Sequence, residues 1–242
     1  MKFEKGSVRK SLRFSIIDGF FTAMMLGVSD FYLIPYGSAL GATPAEIAVL
    51  ASLPLLAGAL LQTRSAAVTQ RIGSRLKLIN RLVFFHALGW LPIILVPYIC
   101  DGPLRHWAPW ALLVCVTVYV SVGAFSVPAW QSLMSDYIPT KKRGQYFGWR
   151  NRLQGTMTIL VSIAAGLILH RFGKDSLKGF TLIFSFAMIC RFCAWFCLTR
   201  LREPFRAVVR GADDPHLAGL HQPVERTQRL VERRPVVVAM GI

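Results

Sequence analysis

Asp30 sits in a run of apolar residues, three positions beyond Gly27 in the series Gly19, Ala23, Gly27. Small residues at every fourth position line one stripe of a helix and let a second helix approach closely. At about 100° per residue Asp30 falls on the same stripe, which turns it toward protein rather than lipid. A carboxylate at hydrocarbon depth costs about 2.5–3.5 kcal/mol on insertion scales and is kept only when paired, protonated or hydrated. Two readings follow: an acid that couples a proton or touches a solute, or an acid bonded to a neighbouring helix. Asp18, nearer the basic N-terminus, reads as an interfacial helix-end charge within reach of water or of Arg13.

Arg191 is read as the only Lys or Arg well inside an apolar span. Its leading reading is a structural pair with the first helix through Asp30 or Asp18; the alternative is contact with a substrate anion. Gln131 and Gln154, with Gln62, are neutral donors and acceptors that either line a polar path or bond between helices. His86 reads as a packed imidazole ahead of a proton relay. Cys190, Cys193 and Cys197 share a helical face, but no histidine or second cysteine pair completes a metal set, so they read as small apolar filler. No phosphate-binding GxxxxGK[ST] loop, HExxH zinc pair or GxSxG nucleophile turn occurs. No enzyme chemistry, cofactor or metal is therefore expected.

These residues must be positioned by membrane helices. Hydrophobic residues make up 54% of the 242 positions and charged ones 17%, against about 25% in ordinary soluble domains. A bilayer core of about 30 Å needs roughly 20 apolar residues in helical form, because lipid offers backbone groups no other partner. Stretches near 14–36, 45–63, 79–99, 109–133, 153–170 and 179–199 meet that need. The first follows a basic lead but is too long for a signal peptide and is read as retained. The net charge of +16 is distributed between the apolar runs, unlike the clustered basic face of a nucleic-acid binder. Of the 28 cations, 23 fall on the side of the N-terminus, including Arg150 and Arg152 in the fourth connection. An excess of Lys and Arg marks cytoplasmic loops, so both termini are expected inside, with the chain in the inner (plasma) membrane. Trp107, Trp110, Trp149 and Trp195 read equally as interfacial anchors or as packing. Pro54, Pro92, Pro97 and Pro128 are expected to kink their helices.

The basic connection AVTQRIGSRLK at 67–77 and the segment PAWQSLMSDYIPTKKRGQYFGWRN at 128–151 resemble parts of the N-terminal half of a major facilitator superfamily transporter. The family's GxxxDRxGRR pattern falls on Ala66, Gln70, Arg71, Gly73, Ser74 and Arg75; Arg71, Gly73 and Arg75 match, while Ala66, Gln70 and Ser74 depart. Asp136, Pro139, Arg143 and Gly144 match the family's DxxPxxxRG stretch. The resemblance implies an all-α, six-transmembrane-helix bundle like one half of that fold, built as a 3+3 inverted repeat, over 1–205. It also implies that Asp136 pairs with Arg71 or Arg75 as a cytoplasmic gate.

Residues 206–242 lack aromatics and bring Pro215, Pro223, Pro235 and a paired Asp213 and Asp214, a composition expected to be a disordered cytoplasmic tail. It reads as the linker between family halves or as the aberrant end of a truncated product, with truncation favoured. The expected partners are the lipid bilayer, an unidentified small solute, and a second six-helix half or another copy; no nucleic acid is expected. Two functions stand: a half-length secondary transporter active when paired, or a non-transporting six-helix remnant or scaffold.

Overall fold

The computed structural model describes residues 5–173 and 176–201, leaving the side chains of residues 5–9 and 30 undescribed. The helices in chain order are α1 (Lys5–Ala39), α2 (Pro44–Gln62), α3 (Ser65–Ile72), α4 (Arg75–Leu88), α5 (Trp90–Ile99), α6 (Ala108–Tyr137), α7 (Thr140–Phe172) and α8 (Leu177–Thr199). With α4 and α5 taken together, six spans are long and apolar enough to cross a membrane. Residues 206–242 lie outside the described residues.

Local chemistry sets the ends. Thr43 caps α2 in a reciprocal box: its hydroxyl accepts from the Glu46 amide at 3.3 Å while the Glu46 carboxylate accepts from the Thr43 amide at 2.8 Å. Pro44 takes the first helical position, where no N–H is needed. The third span breaks at Gly89, between α4 and α5. Pro92 explains the break, because its ring excludes the carbonyl four residues back and it has no amide to donate. Helical structure continues through Pro54, Pro97 and Pro128.

The largest departure from the sequence expectation is the fifth span, which begins at Thr140 rather than near 153. Only Ile138 and Pro139 separate it from α6. Hydropathy locates the lipid-facing stretch alone, whereas Lys141, Lys142, Arg143, Gln145, Arg150 and Arg152 are good helix formers, and the long stems of the Lys and Arg residues let their charge leave an apolar surface. The same physics carries α1 back to Lys5 through its basic lead.

Two apolar clusters fill the bundle. One gathers Met25, Tyr36, Trp90, Ile93, Leu112, Phe180 and Phe184. The other gathers Ile79, Val83, Leu133, Met134, Tyr146 and Leu198 toward the basic end. Between them runs a polar layer: Asp18 follows Ile16 and precedes Phe21, His86 lies between Val83 and Trp90, and Arg191 between Cys190 and Trp195. Trp195 packs on Phe84 with ring centroids 5.2 Å apart, so it is a packing residue, while Trp107, Trp110 and Trp149 are exposed.

The small-residue stripe of α1 receives α7. A Cβ on Gly27 would lie 2.6 Å from the Thr158 carbonyl oxygen, and one on Gly19 would lie 2.8 Å from the Arg150 guanidinium. Removing side-chain bulk on α1 lets α7 come close enough to bond its backbone: Thr158 donates to Ala23 O at 3.2 Å and Gln154 to Gly19 O at 3.0 Å.

Candidate functional site

The polar layer is a continuous chain across four helices. Arg191 on α8 donates from Nε to Nδ1 of His86 on α4 at 3.0 Å and from Nη1 to the Thr22 hydroxyl on α1 at 3.1 Å. The Thr22 hydroxyl in turn donates to Oδ1 of Asp18, one turn earlier, at 3.5 Å. On the far side of Asp18, Arg150 of α7 approaches Oδ2 to 3.8 Å. Arg150 also donates to Gln154 Oε1 at 2.7 Å, and its guanidinium lies 4.3 Å from the centroid of the Trp130 ring. A buried guanidinium is thereby held by a carboxylate, an amide and an aromatic face together.

Each member is fixed by its surroundings. His86 stacks on Tyr119 with centroids 4.1 Å apart and occupies the notch left by Gly123, where a Cβ would meet its Nε2 at 2.7 Å. Because Nδ1 accepts from Arg191, that nitrogen carries no proton and the ring is neutral in this arrangement. Tyr146, one turn before Arg150, donates to Ser15 at 3.3 Å, and Ser15 points to Met134 Sδ at 3.1 Å. This second set of contacts fixes α7 against α1 and α6.

Two sequence expectations are corrected here. Asp18 is 3% exposed and ion-paired inside the bundle, not a solvated helix-end charge. Arg150 is 8% exposed and faces Asp18, so it is not a connection cation, and Arg191 is not alone within the spans. Averaged hydropathy excludes Arg150 from the membrane segment because Lys141, Lys142, Arg143 and Arg152 fall in the same stretch. The i, i+4, i+8 spacing of Tyr146, Arg150 and Gln154 would have shown one polar face on a helix. Arg191 reaches α1 through Thr22. Gln154 joins the chain, Gln131 lies exposed on α6 apart from it, and the side chain of Asp30 is outside the described residues.

The cluster of Asp18, Arg150 and Arg191 carries two cationic groups against one acid. At low dielectric such an excess raises the local affinity for an anion.

A second constellation lies at the basic end. Arg75, in the first turn of α4, contacts Asp136 Oδ2 through Nη2 at 2.6 Å and donates to Ser132 Oγ at 2.9 Å, tying α4 to the last turn of α6. Of the two expected partners of Asp136, Arg75 is the one in contact; Arg71 is exposed on α3. Gly73 makes the turn that delivers Arg75: its φ of 72° is left-handed, and it ends α3 by donating to Thr69 O. Gly73→Ala is therefore expected to cost about 1–2 kcal/mol of stability, measured as a shift in thermal unfolding midpoint in detergent. Arg143, from the first turn of α7, donates to the carbonyls of Ser135 at 2.8 Å and Ile138 at 3.2 Å, satisfying the end of α6. At Gly144 an added Cβ would meet nothing within 4 Å, so Gly144→Ala is expected to be neutral or to stabilise by up to ~1 kcal/mol in the same assay.

A sequence profile of the Major Facilitator Superfamily matches residues 17–242. Neither a curated protein nor a solved structure matches the chain. With its six membrane-length spans and all-helical bundle, the chain is a multi-pass membrane protein that belongs to the Major Facilitator Superfamily, a family of secondary transporters.

Proposed function

We propose that the chain is one half of a secondary carrier that moves a small organic anion by alternating access, completed by a second six-helix unit. The observation that carries this reading is the buried Asp18–Arg150–Arg191 cluster. Ionisable groups inside a membrane bundle are expensive and mark solute or ion pathways. An excess of one positive charge favours an anionic solute. Asp30, on α1, is proposed as a further acid for proton coupling. The N- and C-termini are proposed to face the cytoplasm of the inner (plasma) membrane, on the strength of the cation distribution. The broad apolar exposure of α2 (Leu55, Leu56, Leu60) and α7 (Ile159, Ile163, Leu167) suits the second unit, either another copy or a separately encoded half.

In this reading Arg71, Gly73, Arg75, Asp136, Arg143 and Gly144 form a gate at the basic end. Asp136→Asn is expected to change stability by less than about 1 kcal/mol, as for other part-exposed pairs. It is also expected to shift the carrier toward the state open at the basic end. Faster maleimide labelling of a cysteine placed at the buried Ala129, two turns before Asp136 on the same face of α6, checks this, and an unchanged rate counts against the gate.

The functional test is counterflow in proteoliposomes with radiolabelled small mono- and dicarboxylates and inorganic phosphate. Exchange of at least one anion is expected, lost in Asp18→Asn and reduced in Asp30→Asn. Absence of exchange from proteoliposomes in which the chain is shown by crosslinking to be dimeric, together with unfolding midpoints that no anion shifts, would support the non-transporting scaffold instead.

A further inference from the structure

A groove of about 430 Å³ runs between α1 and α8, away from the polar chain, lined by Phe21, Ile189, Phe192, Cys193, Phe196 and Cys197. Its walls are apolar, and Ile189 and Phe196 are more than half exposed. On α8 the stripe Ile189, Cys193, Phe196 ends at Arg200, whose guanidinium lies 4.7 Å from the Phe196 ring centroid. On α1 the stripe reads Phe21, then Ile17, then the exposed Lys10. On each helix a cation lies eleven residues toward the basic end from a lining residue, Arg200 from Ile189 and Lys10 from Phe21, and on the same helix face as that residue, since eleven residues close three helical turns.

Eleven residues of helix span about 16 Å, the depth of one leaflet of a hydrocarbon core of about 30 Å. The lined stretch of α8, Ile189–Cys197, covers about 12 Å of that depth, and Lys10 and Arg200 lie beyond the lining toward the basic end, a length and charge that suit an acyl chain beneath an anionic headgroup. We propose that this groove holds an acyl chain of an anionic phospholipid, with its headgroup phosphate between Lys10 and Arg200. The site is separate from the carrier reading and stands on the membrane placement of the spans alone. A bound chain would sit on α1 and α8, the two helices that Thr22 and Arg191 connect, and so would brace the polar chain from outside.

The test uses the purified full chain in nanodiscs of phosphatidylcholine alone or with an equal part of phosphatidylglycerol. Native mass spectrometry is expected to find phosphatidylglycerol retained in preference to phosphatidylcholine. Lys10→Gln and Arg200→Gln should each lower that preference about fivefold. Maleimide labelling of Cys193, followed by peptide mass, should slow in the anionic nanodiscs, and Ile189→Trp, which fills the groove, should slow it in both. Equal labelling of Cys193 in the two lipids, or retention unaffected by Lys10→Gln and Arg200→Gln combined in one chain, would overturn the proposal. So would disulfide crosslinking of Cys193 between two chains, because a second copy would then occupy the face.

Discussion

Asp18→Asn is expected to lower the stability of the bundle by about 3–5 kcal/mol, the loss typical when one partner of a buried ion pair is removed. The carboxylate is buried, and its two oxygens serve different partners: Thr22, which carries Arg191, and Arg150. An asparagine offers one carbonyl oxygen and no charge, so it leaves two guanidiniums in the interior without a counter-ion. Replacing Arg150 by Met in the Asp18→Asn background restores part of the loss, because an apolar side chain of similar length removes one uncompensated charge. Unfolding of the purified variants in mixed detergent, arranged as a double-mutant cycle, measures the coupling. An Asp18→Asn midpoint equal to that of the parent would show that the acid is not holding the two cations.

Gly27→Val is expected to be nearly as damaging, at about 1–3 kcal/mol for overpacking, with loss of the α1–α7 bonds in addition. A Cβ at this position meets the Thr158 carbonyl oxygen at 2.6 Å, the Val161 Cβ at 3.1 Å and the Ser162 amide nitrogen at 3.3 Å. Two of those three atoms are backbone and cannot rotate aside, so α7 has to move outward. That movement breaks the Thr158–Ala23 and Gln154–Gly19 bonds and draws Arg150 from Asp18. A disulfide engineered between Ala23→Cys and Thr158→Cys reports the separation: efficient crosslinking in the Gly27 parent should be lost in Gly27→Val. Retained crosslinking would mean that the helices absorb the extra bulk without separating.

Much of this arrangement is legible one helix at a time. The stripe Gly19, Ala23, Gly27 announces a close neighbour because the absence of side chains is a local property, and α7 is that neighbour. The sequence cannot say which helix fills the stripe, since every polar span offers hydroxyls and amides to bond. The acid and cation at Asp136 and Arg75 are suggested by motif, but their contact depends on the left-handed Gly73 turning α4 toward the end of α6. Arg150 was hidden for a different reason. Averaged hydropathy treats a run of cations as an interface, although helical periodicity sends successive cations to different faces.

The crossings of the bilayer were determined by sequence alone, because the need to satisfy backbone groups in lipid acts on each stretch of about 20 residues independently. Which charges leave solvent was decided only by the tertiary structure. Arg150 lies in a basic tract that gives no sign of burial, yet its helix packs so that Gln154 bonds Gly19 from 135 positions away and Arg150 meets Asp18. A guanidinium is kept in an interior when its counter-ion and hydrogen-bond partners arrive with it, and those partners come from other helices.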